Sequence, residues 1–179
     1  VRGVPSPERA KGVPAMKGDT KVIEFLNTVL CNELTAINQY VIHARMLDHW
    51  GVVKLGKYEY KESIEEMQHA DTLIKRILFL DGVPNLQKLN KLLVGESVEE
   101  ILKCDLKLEE KAIADLRAGI QHCEAVRDFP TRDLLAKILS DEEHHVDFVE
   151  TQFELIERIG LQNYIQLNSA AAGSEGDEG

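Results

Sequence analysis

The chain has 179 residues, of which 44% are apolar and 29% charged, the size and composition of a single globular domain with a sizeable core. Lys and Arg number 21 against 31 Asp and Glu, a net charge of −10. That balance excludes nucleic acid or an anionic membrane as the main partner and suits a protein that attracts cations. No run of 18 apolar residues is present, which excludes a membrane-spanning helix in this sequence.

Residues 1–15 hold Pro5, Pro7 and Pro14 among Arg2, Glu8, Arg9 and Lys11. They lack the apolar stretch of a secretory signal and read as a flexible extension ahead of a natural start at Met16. The segment 20–48 is helical in its spacing and is stopped by Asp48-His49-Trp50-Gly51. A second helix is predicted over 50–80, ending at Asp81-Gly82-Val83-Pro84. A third begins near Ser97, where Ser97-Val98-Glu99-Glu100 has the form of a capping box, and ends before Asp128. The fourth spans 129–159, with Pro130 in its first turn and Gly160 closing it. Leu161 to Leu167 forms a short fifth helix, and residues 169–179 an acidic mobile tail.

Strand periodicity is absent, so the fold class is all-α. Helices of this length run roughly 40–45 Å. The 16 residues from Asp81 to Glu96 can span about 50 Å when extended, enough to return along the whole length of the bundle. Short, long and short connections predict a four-helix bundle with one crossover between its second and third helices, as in ferritin-like folds. The bundle domain is expected over 16–168. Cys31, Cys104 and Cys123 form no CxxC or CxxCH pair, which fits core packing in a reducing cytoplasm.

Each helix carries one glutamate where its apolar stripe calls for a hydrocarbon. The stripes read Leu26, Leu30, Glu33, Ile37, Tyr40, Ala44 and Leu47; Glu66, His69, Leu73 and Ile77; Leu102, Glu109, Ile113 and Leu116; and Leu135, Ile138, Glu142, His145 and Val149. A buried, unpaired carboxylate costs several kcal/mol, and four would exceed a typical net stability of about 5–15 kcal/mol. No lysine or arginine on these stripes neutralises them. Two divalent cations would. Glu66-x-x-His69 and Glu142-x-x-His145 each put two side chains on one helix face. Two such motifs plus one glutamate from each remaining helix is the donor set of a carboxylate-bridged di-iron or di-manganese centre. Oxygen-rich ligation favours those metals over zinc or copper. Asp141 and His144 offer a competing register, but they lie off the apolar stripe.

The stretches MKGDTKVI at 16–23, NELTAINQY at 32–40, ESIEEMQHA at 62–70, RILFLDGVPNLQ at 76–87 and DEEHH at 141–145 resemble those of bacterioferritins, the haem-containing branch of the ferritin family. The resemblance covers Met16 to about Leu167. It implies a ferroxidase centre of two iron ions per subunit held by Glu33, Glu66, His69, Glu109, Glu142 and His145, with Glu66 and Glu142 as bridges. It also implies oxidation of Fe²⁺ by dioxygen or peroxide and a hollow 24-subunit shell that stores ferric mineral. Electrons for iron release would come from a small ferredoxin associated with bacterioferritins.

Met67 lies on a second apolar face with Tyr60, Ile64 and Ile74. On the residues alone it reads as packing at a subunit interface. The resemblance makes it an axial ligand of one haem b shared by two subunits, bound without a covalent link. Tyr40 reads as a core tyrosine, and the resemblance makes it a redox-active neighbour of the irons. Some relatives have an additional inner-surface iron site, but Lys61 and Glu65 stand in the matching region here. Phe148 occupies a position where some relatives have tryptophan. His43, His49, His122 and His144 are expected to face solvent or interfaces. The alternative is a haem b electron carrier with an inactive metal site. A shell of the DNA-protecting type would place its ligands between subunits, and a rubrerythrin would need CxxC pairs.

Overall fold

The computed structural model describes residues 17–170. Five helices run in order: α1 Thr20–His49, α2 Val53–Phe79, α3 Val98–Ala125, α4 Phe129–Ile159 and α5 Leu161–Asn168. No strand occurs among the described residues. The chain is thus the all-α, ferritin-like bundle expected from its periodicity, with α1/α2 and α3/α4 as antiparallel hairpins and α5 folded against the end of α4. The extension 1–15, Met16 and the tail beyond 170 lie outside the described residues.

The helix ends follow from local chemistry. Asp19 caps α1 by accepting from the N–H groups of Lys21 and Val22, and Ser97 accepts from Glu100 N at 3.3 Å at the start of α3. The return bond of that capping box lands one residue early, because Glu100 Oε2 accepts from Glu96 N at 2.9 Å. α1, α2 and α3 all end on a left-handed residue, respectively Gly51, Asp81 and Arg127, with φ of 81°, 63° and 61°. In each, the next N–H reaches back to a carbonyl five residues earlier, as Gly82 N does to Ile77 O at 2.9 Å. Asp81, not Gly82, therefore takes the left-handed turn. Gly82 is needed for space, since a Cβ there would come within 2.8 Å of Ile23 Cγ2.

The crossover runs along α1 and is fastened to it rung by rung. Asn27 Oδ1 accepts from Asn85 N at 2.7 Å, Thr35 Oγ1 from Asn90 N at 3.0 Å, Gln39 Oε1 from Leu93 N at 3.0 Å and His43 Nε2 from Gly95 N at 3.1 Å. These side chains recur at intervals of one or two turns on α1, and they satisfy backbone donors for which an irregular segment has no partner of its own. Gly95 passes so close to α3 that a Cβ would meet Ile101 N at 2.3 Å.

Two apolar clusters close the ends of the bundle. One gathers Val22, Leu26, Leu30, Leu73, Ile77, Leu116 and Leu135. The other gathers Leu47, Leu55, Ile101, Leu102, Val149 and Tyr164. Between them lies the polar layer that holds the four stripe glutamates. The hydrocarbon at either end supplies the hydrophobic stabilisation, so the middle is free to carry charge.

Candidate metal centre

All six side chains of the proposed ligand set are buried, with Glu33, Glu66, Glu109 and Glu142 each 1% exposed. They form two groups whose ligand atoms lie within 4.8 Å of one another: Glu33, Glu66, His69 and Glu142, and Glu66, Glu109, Glu142 and His145. Glu66 and Glu142 belong to both. The two halves are arranged alike. His69 Nδ1 stands 3.2 Å from Glu33, 3.1 Å from Glu66 and 3.5 Å from Glu142. His145 Nδ1 stands 3.3 Å from Glu66, 3.0 Å from Glu142 and 3.9 Å from Glu109.

The outer nitrogens are held by two acids that the stripes do not include. His69 Nε2 contacts Asp141 Oδ2 at 3.2 Å, and His145 Nε2 contacts Glu62 Oε2. A carboxylate behind a metal-binding imidazole fixes its ring and tautomer and frees the inner nitrogen as a ligand. Asp141 sits off the apolar stripe, yet its carboxylate still reaches the site. Glu62 could have been found from the sequence, since 59, 62, 66, 69 and 73 form one unbroken helical stripe.

The buried atoms are poorly satisfied by one another. Glu33 Oε1, Glu66 Oε1, Glu142 Oε2 and His145 Nδ1 are shielded from solvent and make no well-aligned hydrogen bond among the described residues, although His145 Nδ1 stands close to both Glu66 and Glu142. Buried polar atoms are rarely left so, and these converge on the centres of the two groups. Burial, and next the charge of Glu66, push the Glu33 carboxyl well above the usual 4.5. Burial and then Glu142 do the same to Glu109. Burial also acts to raise Glu66, but its close contacts with His145, His69 and Glu33 outweigh it and bring this carboxyl down to about 2. Burial acts to lower both histidines, yet the carboxylates around them, Glu142 first, raise both well above 6.5. Without a cation the site thus holds itself together with its own protons. A pair of divalent ions would replace those protons, and the donor set fits such a pair.

Tyr40 donates its hydroxyl to Glu109 Oε1, and its ring stands edge-on to His145 with centroids 6.4 Å apart. Two openings reach the histidines. A cavity of about 390 Å³ is lined by Glu65, His69 and Asp141 among others, and one of about 190 Å³ by Tyr58, Glu62, Glu65, Asp141 and His145. Lys61 Nζ lies 3.6 Å from Glu62 and 3.8 Å from Glu65 at the second mouth. Phe148 stacks on Tyr58 with centroids 3.6 Å apart.

Met67 is not part of this layer. It is 48% exposed, beside Tyr60 and Ile64 on the outward face of α2. His49 and His144 are exposed and His122 is half-buried against Asp19. His43 departs from expectation. It is fully buried, because the crossover covers the α1 face that the sequence leaves looking solvated.

Residues 23–159 match the family described as Ferritin-like domain. The chain is 50% identical over 155 residues to a bacterioferritin of Rhodobacter capsulatus, covering 87% of this chain and 96% of that protein. It is 48% identical over 157 residues to a bacterioferritin of Brucella melitensis, covering 88% and 98%. With one of Streptomyces coelicolor it shares 50% over 150 residues, covering 84% and 90%. Fold, buried donor set and kinship agree that the chain belongs to the ferritin family, in its bacterioferritin branch.

Proposed function

We propose that the chain is an iron-storage subunit with ferroxidase activity. Iron storage is the function that kinship supports at the level of the family. The observation that carries the ferroxidase reading is the pair of four-donor groups sharing Glu66 and Glu142 inside one subunit. Ferrous iron is the substrate, and dioxygen or peroxide takes the electrons. Four carboxylates against two divalent ions leave a neutral buried site, which is the charge balance a low-dielectric interior requires.

The residues divide the work. Glu33 and Glu109 give up the protons they hold when cations arrive. Glu66 and Glu142 reach both positions and keep two ions close enough to be oxidised as a pair. Asp141 and Glu62 hold the imidazoles of His69 and His145 with their inner nitrogens free. Tyr40 fixes Glu109 through its hydroxyl and stands as a redox-active side chain in contact with the site. The openings beside Glu65 and Asp141 supply an acidic approach for cations.

A haem b between two subunits, bound through Met67 of each, is consistent with an exposed thioether on an apolar face shared with Tyr60 and Ile64. That face needs a second copy to cover it, and assembly into a 24-subunit shell would provide one, with the associated ferredoxin as electron donor for release. Anaerobic titration with Fe²⁺ tests the reading: saturation near two ions per chain, followed by rapid oxidation on adding peroxide, is expected. Glu109→Ala should lose rapid oxidation while the shell still assembles. Unchanged oxidation kinetics in that variant would remove the assignment.

A further inference from the structure

One helical turn along the bundle from Tyr40 and Glu109 lies a second polar layer that the ferroxidase reading does not use. It consists of His43 from α1, Glu59 from α2 and Asp105 from α3, which are 0%, 1% and 0% exposed, with their ligand atoms within 4.8 Å of one another. Asp105 Oδ1 accepts from Gln39 Nε2 at 2.9 Å. His43 Nδ1 stands 2.9 Å from Oδ1 and 3.1 Å from Oδ2 of the same carboxylate.

The protons in this layer can be placed. A backbone N–H only donates, and Gly95 N–H points at His43 Nε2 at 3.1 Å. That nitrogen therefore carries a lone pair, and the ring proton sits on Nδ1, facing Asp105. His43 is neutral in this arrangement. Among the described residues, no lysine or arginine comes within ion-pair distance of Glu59 or Asp105. Two buried carboxyls without a cation cannot both be charged. Asp105, with donors from Gln39 and His43, is the better-held anion. Among the described residues no donor reaches Glu59 Oε2.

We propose that Glu59 and Asp105 share one proton, held as a Glu59 carboxylic acid beside an Asp105 carboxylate, and that this layer is a proton-holding site adjoining the metal centre. Burial, with the charge of Asp105 next, raises the Glu59 carboxyl well above its usual range, and Glu62 adds to this while His145 opposes it. Tyr40 on α1 and Tyr164 on α5 stand near the pair and are raised by burial first, Tyr40 then by Glu109, Asp105 and Glu59, and Tyr164 by Glu59. A metal ion is the weaker occupant. Coordination by His43 Nδ1 would put the ring proton on Nε2, where Gly95 already donates.

The layer gives the centre a reserve of negative charge. Oxidising two ferrous ions adds two positive charges as two electrons pass to dioxygen or peroxide. Ionisation of Glu59 breaks its O–H bond, releases H⁺ to water and leaves a carboxylate that offsets one of those charges. This last role rests on the ferroxidase reading, whereas the shared proton does not.

The test uses the full-length, metal-free protein at neutral pH. Infrared spectra should show a carboxylic C=O stretch that Glu59→Gln removes, and solid-state ¹³C NMR should show the Glu59 carboxyl protonated where exposed carboxyls are ionised. Ionisation of Glu59 in the ordinary carboxylate range overturns the proposal. So does a Zn²⁺ titration in which a third ion per chain disappears in Glu59→Gln. Should that variant not fold, the NMR spectrum of the unaltered protein decides alone. On oxidation of bound Fe²⁺ by peroxide the carboxylic signal should fall. Persistence of the signal while iron oxidises ends the charge-reserve role. Failure of iron to oxidise ends the ferroxidase reading and leaves the metal-free measurement standing.

Discussion

Glu66 is common to both donor groups, whereas Glu33 and Glu109 each belong to one, so their amide variants should fail differently. Ligand atoms within 4.8 Å of one another put a shared ion about 3 Å or less from each. At that distance and an effective dielectric of about 20, a divalent ion and one carboxylate attract by roughly 11 kcal/mol before desolvation. Dehydrating the carboxylate and the ion takes back several kcal/mol, and a glutamine still offers a neutral oxygen. A net loss of about 4 kcal/mol remains, or roughly a thousandfold in affinity. Calorimetric titration with Zn²⁺, which is redox-inert, should give two sites in the unaltered protein. One tight site should survive in Glu33→Gln and in Glu109→Gln, and none in Glu66→Gln. The metal-free Glu33→Gln and Glu109→Gln proteins should melt close to the unaltered one, because each replaces a carboxyl already held neutral. Two tight Zn²⁺ sites in Glu66→Gln would refute the shared-ligand geometry. An equal loss of metal-free stability in all three variants would mean that the acids serve as packing.

The pH dependence of stability should change sign with metal. Glu33 and Glu109 are raised above 4.5 and His69 and His145 above 6.5, so between those values and the raised ones the folded state holds more protons than the unfolded chain. Metal-free protein should therefore lose stability from about pH 5 to about pH 8, whereas the Glu66 contribution is complete above 4.5 and constant in that window. With Zn²⁺ present the ligands bind deprotonated and stability should rise instead, as scanning calorimetry with and without chelator would show. Tyr40→Phe leaves Glu109 short of a donor and should cost about 1–3 kcal/mol in chemical denaturation of the metal-free protein. Asp81→Gly relieves a left-handed non-glycine residue and should raise stability by about 1 kcal/mol, whereas Gly82→Ala should lower it by forcing Ile23 aside; thermal melts separate the two. Met67→Leu should abolish haem absorbance while leaving two Zn²⁺ per chain, since Met67 lies apart from the buried donor groups.

The helices and the six inward donors could be read from the sequence because both are periodic signals. Apolar spacing marks the bundle faces, and a glutamate standing in line with Leu26 and Leu30, or with Leu135 and Ile138, is conspicuous because burial without a cation is so costly. The histidines at i+3 then follow from helix geometry. Glu62 and Glu59 carried the same signal one and two turns earlier on α2, where the stripe simply continues. Asp105 carried it one turn before Glu109.

Asp141 and His43 could not be read in this way. Asp141 sits off the stripe of α4 and reaches His69 only because α2 and α4 face one another across the donor layer. The polar residues Asn27, Thr35, Gln39 and His43 look like a solvated face, and nothing local distinguishes them from one. Only the path of the crossover, which lays the N–H groups of Asn85, Asn90, Leu93 and Gly95 on them, covers that face and buries Thr35, Gln39 and His43. Periodicity along one helix thus determined which residues turn toward the bundle axis. Which second face becomes buried, and which outlying carboxylate completes a donor set, depended on how segments distant in sequence meet, because burial and hydrogen-bond satisfaction are properties of packed neighbours.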